Sequence, residues 1–195
     1  MPEQLTTEQG RTLLDLARAT LMKELGEDQS RIPDDLDQRL QDPAFDHKLG
    51  TFVTLHLKNN LRGCIGSLEG TEPLRDNIAN NARNAAFHDP RFPPLGRNEL
   101  PEVDIEISVL TSPQALEYTS AQDLVSKLRP KVDGVILKKG MAQSTFLPQV
   151  WEQLPQPEAF LSNLCLKAGL PAEAWRQGDI QIFIYQVQSF AEKEA

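Results

Sequence analysis

The 195 residues include 28 Asp and Glu against 20 Lys and Arg, a formal charge of −8, with 39% hydrophobic and 25% charged residues. Such a chain buries a core without a metal or disulfide staple. Its acidic balance argues against general affinity for nucleic acid or anionic membrane, which rests on neutralising phosphates with Lys and Arg. No apolar run approaches the roughly 18 residues that span a bilayer, and the opening MPEQLTTEQG has neither a basic nor an apolar leader region, so a cytoplasmic protein is expected. Two cysteines in such a chain read as free thiols.

Residues 6–25 predict an amphipathic helix. Thr6 and Gln9 have the form of a capping box, Leu13, Ala17, Leu21 and Leu25 repeat every fourth position, and Gly26 supplies a stop. A loop follows to Gly50, with one short helix around 33–40. Val53, Leu55 and Leu57 then alternate as in a strand, and Lys58-Asn59-Asn60 reads as a turn. Thr71 before Glu72-Pro73 predicts an N-cap for a helix carrying Leu74, Ile78, Ala82 and Ala85 on one side and ending near Phe87, before the stiff loop His88 to Pro94.

Val103 to Val109 is the clearest half-buried strand, with Asp104, Glu106 and Ser108 on its wet face. Ser120-x-x-Asp123 starts a short helix, and 132–138 with 141–147 predicts a hairpin around Lys139-Gly140. Helix 157–168 turns Cys165 toward the core and ends at Gly169, and 180–187 reads as a strand covered on both faces. Hairpins outnumber crossover units, which predicts an α+β fold: a mainly antiparallel sheet packed with helices, forming a single domain over 1–195 or a larger part with a smaller subdomain.

The stretch LRGCIG, residues 61–66, poses the functional question. A two-residue Asn59-Asn60 loop would put Arg62 on the core face. A three-residue loop, with Asn60 left-handed, pairs Leu57 with Leu61 and Val53 with Ile65 and buries all four. In that register His56 faces Arg62, and Cys64 lies beside Thr54 on the less apolar face. The Arg62 guanidinium and the amides near Gly63 and Gly66 would then favour a thiolate at Cys64, and the glycines would admit a ligand. The plainer alternative is a packed Cys64 with the glycines forming a bulge.

No CxxC, HExxH, GxGxxG or Walker sequence is present, so no metal, nucleotide or other cofactor is expected. A Cys–His pair through His56 or His88, acid–base work by Asp104 and Glu106, and an anion contact at Asp89-Pro90-Arg91 remain open. Between Lys58 and Arg97, six basic residues stand against four acidic ones, a locally positive stretch suited to an anionic ligand.

The ordered series GTFVTL (50–55), LRGCIG (61–66), DPRF (89–92), IEISVLT (105–111), LPQV (147–150) and CLKAGLPAEAW (165–175) resembles the AMMECR family, whose prokaryotic members are also called AmmeMemoRadiSam system protein A. The resemblance runs from Leu5 onward. It implies an α+β fold with a smaller subdomain, and a cytosolic component of a radical-SAM-linked biomolecule-modification system, with a Memo-like protein and a radical S-adenosylmethionine protein as partners. Carried over by motif, the site positions are Arg62, Gly63, Cys64 and Gly66, with Asp89, Arg91, Glu106 and Gln149. The family brings no defined reaction. Two readings stand: Cys64, supported by Arg62, as a reactive or substrate-holding thiol, or a non-catalytic adaptor that presents the same groove to a protein or anionic ligand.

Overall fold

A computed structural model describes residues 4–193. Helix α1 (Thr7–Leu25) carries the expected capping box, Thr6 accepting from the Gln9 amide and Gln9 answering onto the Thr6 amide, and Gly26 ends it in the left-handed conformation. Leu13, Ala17 and Leu21 are fully buried. After the short helix α2 (Leu36–Arg39) and a 3-10 turn at Pro43–Asp46, strands β1 (Thr51–Leu57) and β2 (Asn60–Ser67) form a hairpin.

Helix α3 (Leu74–Phe87) begins later than Thr71 would place it. Pro73 is its N-cap, with no side-chain hydrogen bond, and the orphan Leu74 amide donates to the His47 carbonyl instead. A distant backbone group does the capping. Strand β3 (Val103–Leu110) pairs antiparallel with β1, setting Val53 against Ile107 and Leu55 against Ile105.

The chain then builds β4 (Gln114–Ala115), α4 (Ala121–Lys127), β5 (Gly134–Lys139), β6 (Ala142–Phe146), α5 (Pro157–Lys167) and β7 (Gln181–Tyr185). The strand expected over 180–187 breaks at Gln186, and β8 (Val187–Ala191) joins a different sheet. Two antiparallel four-stranded sheets result, ordered β2-β1-β3-β8 and β4-β7-β5-β6. The fold is α+β.

The chain divides into two compact units, 1–110 with 188–195, and 111–187. In the first, α1 and α3 pack on the sheet over a core that includes Val53, Leu55, Ile78, Ile105 and Ile107. A buried polar knot fixes α3 on β1: the Thr51 hydroxyl donates to Asn77 Oδ1 at 2.6 Å, and Asn81 Nδ2 donates to Thr51 Oγ1 at 2.8 Å. Buried polar groups are tolerable when bonded in this way, and they specify register. In the second unit, Trp151 stacks on Phe160 with centroids 3.7 Å apart, in a core with Leu137, Leu164, Cys165 and Trp175. Among the described residues no helix is long and apolar enough to cross a membrane.

Candidate functional site: the edge strand at Cys64

The hairpin reaches the expected pairing by a different route. Lys58 (φ 52°) and Asn59 (φ 64°) are both left-handed, the signature of a two-residue turn whose twist matches the strands. Asn60 is already in β2 and pairs with Leu57, and Leu61 pairs with His56. The register then shifts by one residue, so that Gly63 meets Leu55, Cys64 meets Thr54 and Ile65 meets Val53. Arg62 is the extra residue, and a bulge of this kind re-aims a side chain. The expected Leu57–Leu61 and His56–Arg62 pairs are therefore replaced.

The bulge sends Arg62 to Glu99. Its side chain is 8% exposed, and Nε and Nη2 donate to the two Glu99 carboxylate oxygens at 2.8 and 3.0 Å. Glu99 also accepts from the Gly96 amide at 2.9 Å. Its carboxyl lies below the usual range, first through the Arg62 hydrogen bonds and then through that amide. The guanidinium expected to support a Cys64 thiolate is thus bound to a carboxylate 37 positions on, which no motif or periodicity marks.

The two glycines owe their identity to the protein's own backbone. A Cβ on Gly63 would stand 2.1 Å from the Ala85 carbonyl oxygen of α3, and one on Gly66 would stand 2.1 Å from the Thr51 carbonyl oxygen. The room foreseen for a ligand is taken by helix and neighbouring strand. Phe52 lies over Gly66, its Cδ1 2.5 Å from the same Cβ position.

Cys64 sits half-buried on the sheet's outer strand, with the Thr54 hydroxyl 3.3 Å from Sγ. Its main chain faces outward at the edge, where strand neighbours would normally bond, and two side chains take their place. The Cys64 amide donates to Asp89 Oδ2 at 2.9 Å, and Arg91 Nη2 donates to the Cys64 carbonyl at 3.2 Å. Asp89, 2% exposed, holds Arg91 in turn through the Arg91 amide, Nε and Nη2 at 3.1, 3.0 and 2.7 Å. Its carboxyl is driven far below the ordinary range, chiefly by the Arg91 guanidinium, with the Cys64 and Arg91 amides adding to the effect and burial opposing it. Asp89 raises Arg91 reciprocally, with a smaller contribution from Cys64. DPRF therefore closes the edge of LRGCIG, and sealing an edge also blocks unwanted strand pairing.

Glu106 pairs across β1 with Thr54, the partner of Cys64, and its carboxylate lies 3.3 Å from His56 Nε2. His88 is exposed. Neither histidine is hydrogen-bonded to the thiol; among the described residues Thr54 alone is. Asp104 is engaged by Lys193 at 2.8 Å. Gln149 is exposed in a 3-10 turn of the second unit, Pro148–Glu152. Of the six basic residues from Lys58 to Arg97, five have a carboxylate within 3.2 Å, and Arg97's nearest lies at 3.9 Å. Ion pairs thus offset most of the local positive charge. Among the described residues no group of three His, Cys, Asp or Glu is placed to hold a metal ion.

A sequence model of the AMMECR1 family matches residues 14–190, which include every motif of this edge. The chain belongs to the AMMECR1 family. Among its AMMECR1 relatives, a protein of Methanothermobacter thermautotrophicus is 42% identical over 194 residues, 96% of each chain. A protein of Thermofilum pendens is 37% identical over 96% of this chain and 92% of its own. The crystal structure of an uncharacterised Pyrococcus horikoshii protein is similar at 32% identity with a TM-score of 0.78, covering 97% of this chain and 94% of that one.

Proposed function

We propose that this AMMECR1 chain is a cytoplasmic component of a biomolecule-modifying assembly, working beside a Memo-like and a radical S-adenosylmethionine protein, and that Cys64 is the thiol that reacts with or holds its substrate. One observation carries this reading. Both main-chain polar groups of Cys64 are fixed by the buried Asp89 and its partner Arg91, while the thiol itself is only half-buried. A rigid backbone with an accessible side chain is the arrangement of a group to be presented, because positioning groups in advance lowers the entropy lost on engagement.

The test is iodoacetamide labelling of the folded full chain followed by peptide mass spectrometry, with Cys165 as internal control. Cys64 is expected to label in the native state and Cys165 only after unfolding. A Cys64 that stays inert until the protein unfolds overturns the thiol reading.

The adaptor reading draws on a separate observation, that no base is hydrogen-bonded to the thiol. Cys64→Ser separates the two. Under the thiol reading it abolishes complementation of a deletion strain, and under the adaptor reading it leaves complementation and partner capture intact.

A further inference from the structure

At the C-terminal end of α1, the first unit contains a cavity of about 450 Å³. That volume lies within the usual range of small-ligand sites, roughly 300–1,000 Å³. Met22 of α1 and Ile32, Leu100 and Pro101 of two loops give it an apolar lining, and Arg18, Arg31 and Arg97 supply its cations.

Which charges remain available decides what would enter. Arg18 is committed, bonding Glu192 and the carbonyls of Leu100 and Val103. Asp28 is committed too, its two oxygens accepting from the Ser30 amide at 3.0 Å and the Ser30 hydroxyl at 2.7 Å. Arg31 donates no hydrogen bond among the described residues, and the charge it faces is the Asp28 carboxylate, whose pKa the Ser30 bonds lower first and Arg31 helps to lower. Arg97 crosses the end of α1, where a Cβ on Gly26 would stand 2.9 Å from its Nη2. Glu27 lies 3.9 Å from Arg97 Nε, beyond hydrogen-bond distance, so it screens that guanidinium without tying it down. An apolar wall whose rim carries one guanidinium free of hydrogen bonds and a second held only by a long ion pair to Glu27 is complementary to an acid with a hydrocarbon body.

We infer that this cavity binds an amphipathic anion, an aliphatic or aromatic chain ending in a carboxylate or phosphate, with the chain against Met22, Ile32 and Leu100 and the head between Arg31 and Arg97. The site is independent of Cys64 and stands whatever that thiol does.

The test titrates the ¹⁵N-labelled full chain with octanoate, octyl phosphate and octylammonium. Saturable amide shifts at Met22, Ile32 and Arg97 are expected with one or both anions, the tighter of the two naming the head group. In the double variant Arg31→Gln, Arg97→Gln, affinity is expected to fall about tenfold or more, because two charge-assisted hydrogen bonds are lost. Both side chains sit on the surface, so circular dichroism should match wild type. Equal binding of octylammonium, no saturable shift with either anion, or a folded double variant that binds as wild type does would each overturn the inference.

Discussion

Cys64 and Cys165 are one side chain in two settings, an edge strand and the inward side of a helix. Cys165 is closed in: it is fully buried in a core with Leu164, Trp175 and Phe160, and burial pushes its thiol up, against a backbone hydrogen bond from Trp175. At Cys64 the polarity is reversed, since an ion pair fixes the backbone and a hydroxyl meets the sulfur. Dense packing encloses the first sulfur, whereas hydrogen bonds fix the backbone beneath the second and leave its sulfur half-exposed.

The comparison breaks most sharply at Gly63. An alanine there drives a methyl group into the Ala85 carbonyl, where neither strand nor helix yields easily, and is expected to lower unfolding free energy by about 3 kcal/mol or more in urea titration. The cost should appear although Cys64 itself is untouched.

Removing the clamp is the next largest effect. Asp89→Ala strands the Cys64 amide and releases Arg91, for a loss of about 2 kcal/mol, moderated because Arg91 is 53% exposed and water takes over part of its bonding. The contribution has a defined pH dependence. A carboxyl whose folded pKa is depressed stabilises fully above its unfolded value, about 3.9, and loses that stabilisation as pH falls toward the folded value. Between about pH 5 and pH 3 wild type should therefore lose more stability than Asp89→Asn does. Parallel acid titrations of the two would sink the clamp as an electrostatic device.

The smallest effects separate the cysteines themselves. Cys165→Ser buries a hydroxyl in a dry core and should cost about 1–2 kcal/mol, whereas Cys64→Ser, beside Thr54, should stay within about 0.5 kcal/mol. Equal losses in thermal melts would show that Cys64 is as structural as its counterpart.

How far the sequence reveals this site depends on the range of each interaction. Local devices were legible: the Thr6–Gln9 box, the Ser120 cap accepting from Asp123, and the end of α5, where Gly169 is left-handed and the Leu170 amide returns to Cys165. The pairing of Val53 with Ile65 was legible too, yet the turn behind it was not. A three-residue loop and a two-residue loop followed by one bulged residue give the same downstream register, so the hydrophobic pattern cannot tell them apart. That ambiguity hid the destination of Arg62, because its partner Glu99 lies in a loop with no periodicity. The split of β7 from β8 was hidden for a similar reason, as a continuous apolar run carries no mark of which sheet each half joins.

The position of β8 bears on how the molecule is made. The chain leaves the first sheet after Leu110 and returns to it at Val187, and the exit and return are tied to each other by the Thr111 amide on the Gln186 carbonyl and the Gln186 amide on the Thr111 hydroxyl, each at 2.9 Å. The ribosome must therefore deliver the whole second unit before the first can be completed. At roughly 5–20 residues per second, several seconds pass with the outer edge of β3 unpaired, and an open strand edge is a template for neighbouring chains. Crowded nascent chains are most vulnerable during that interval, and the length of the second unit sets how long it lasts.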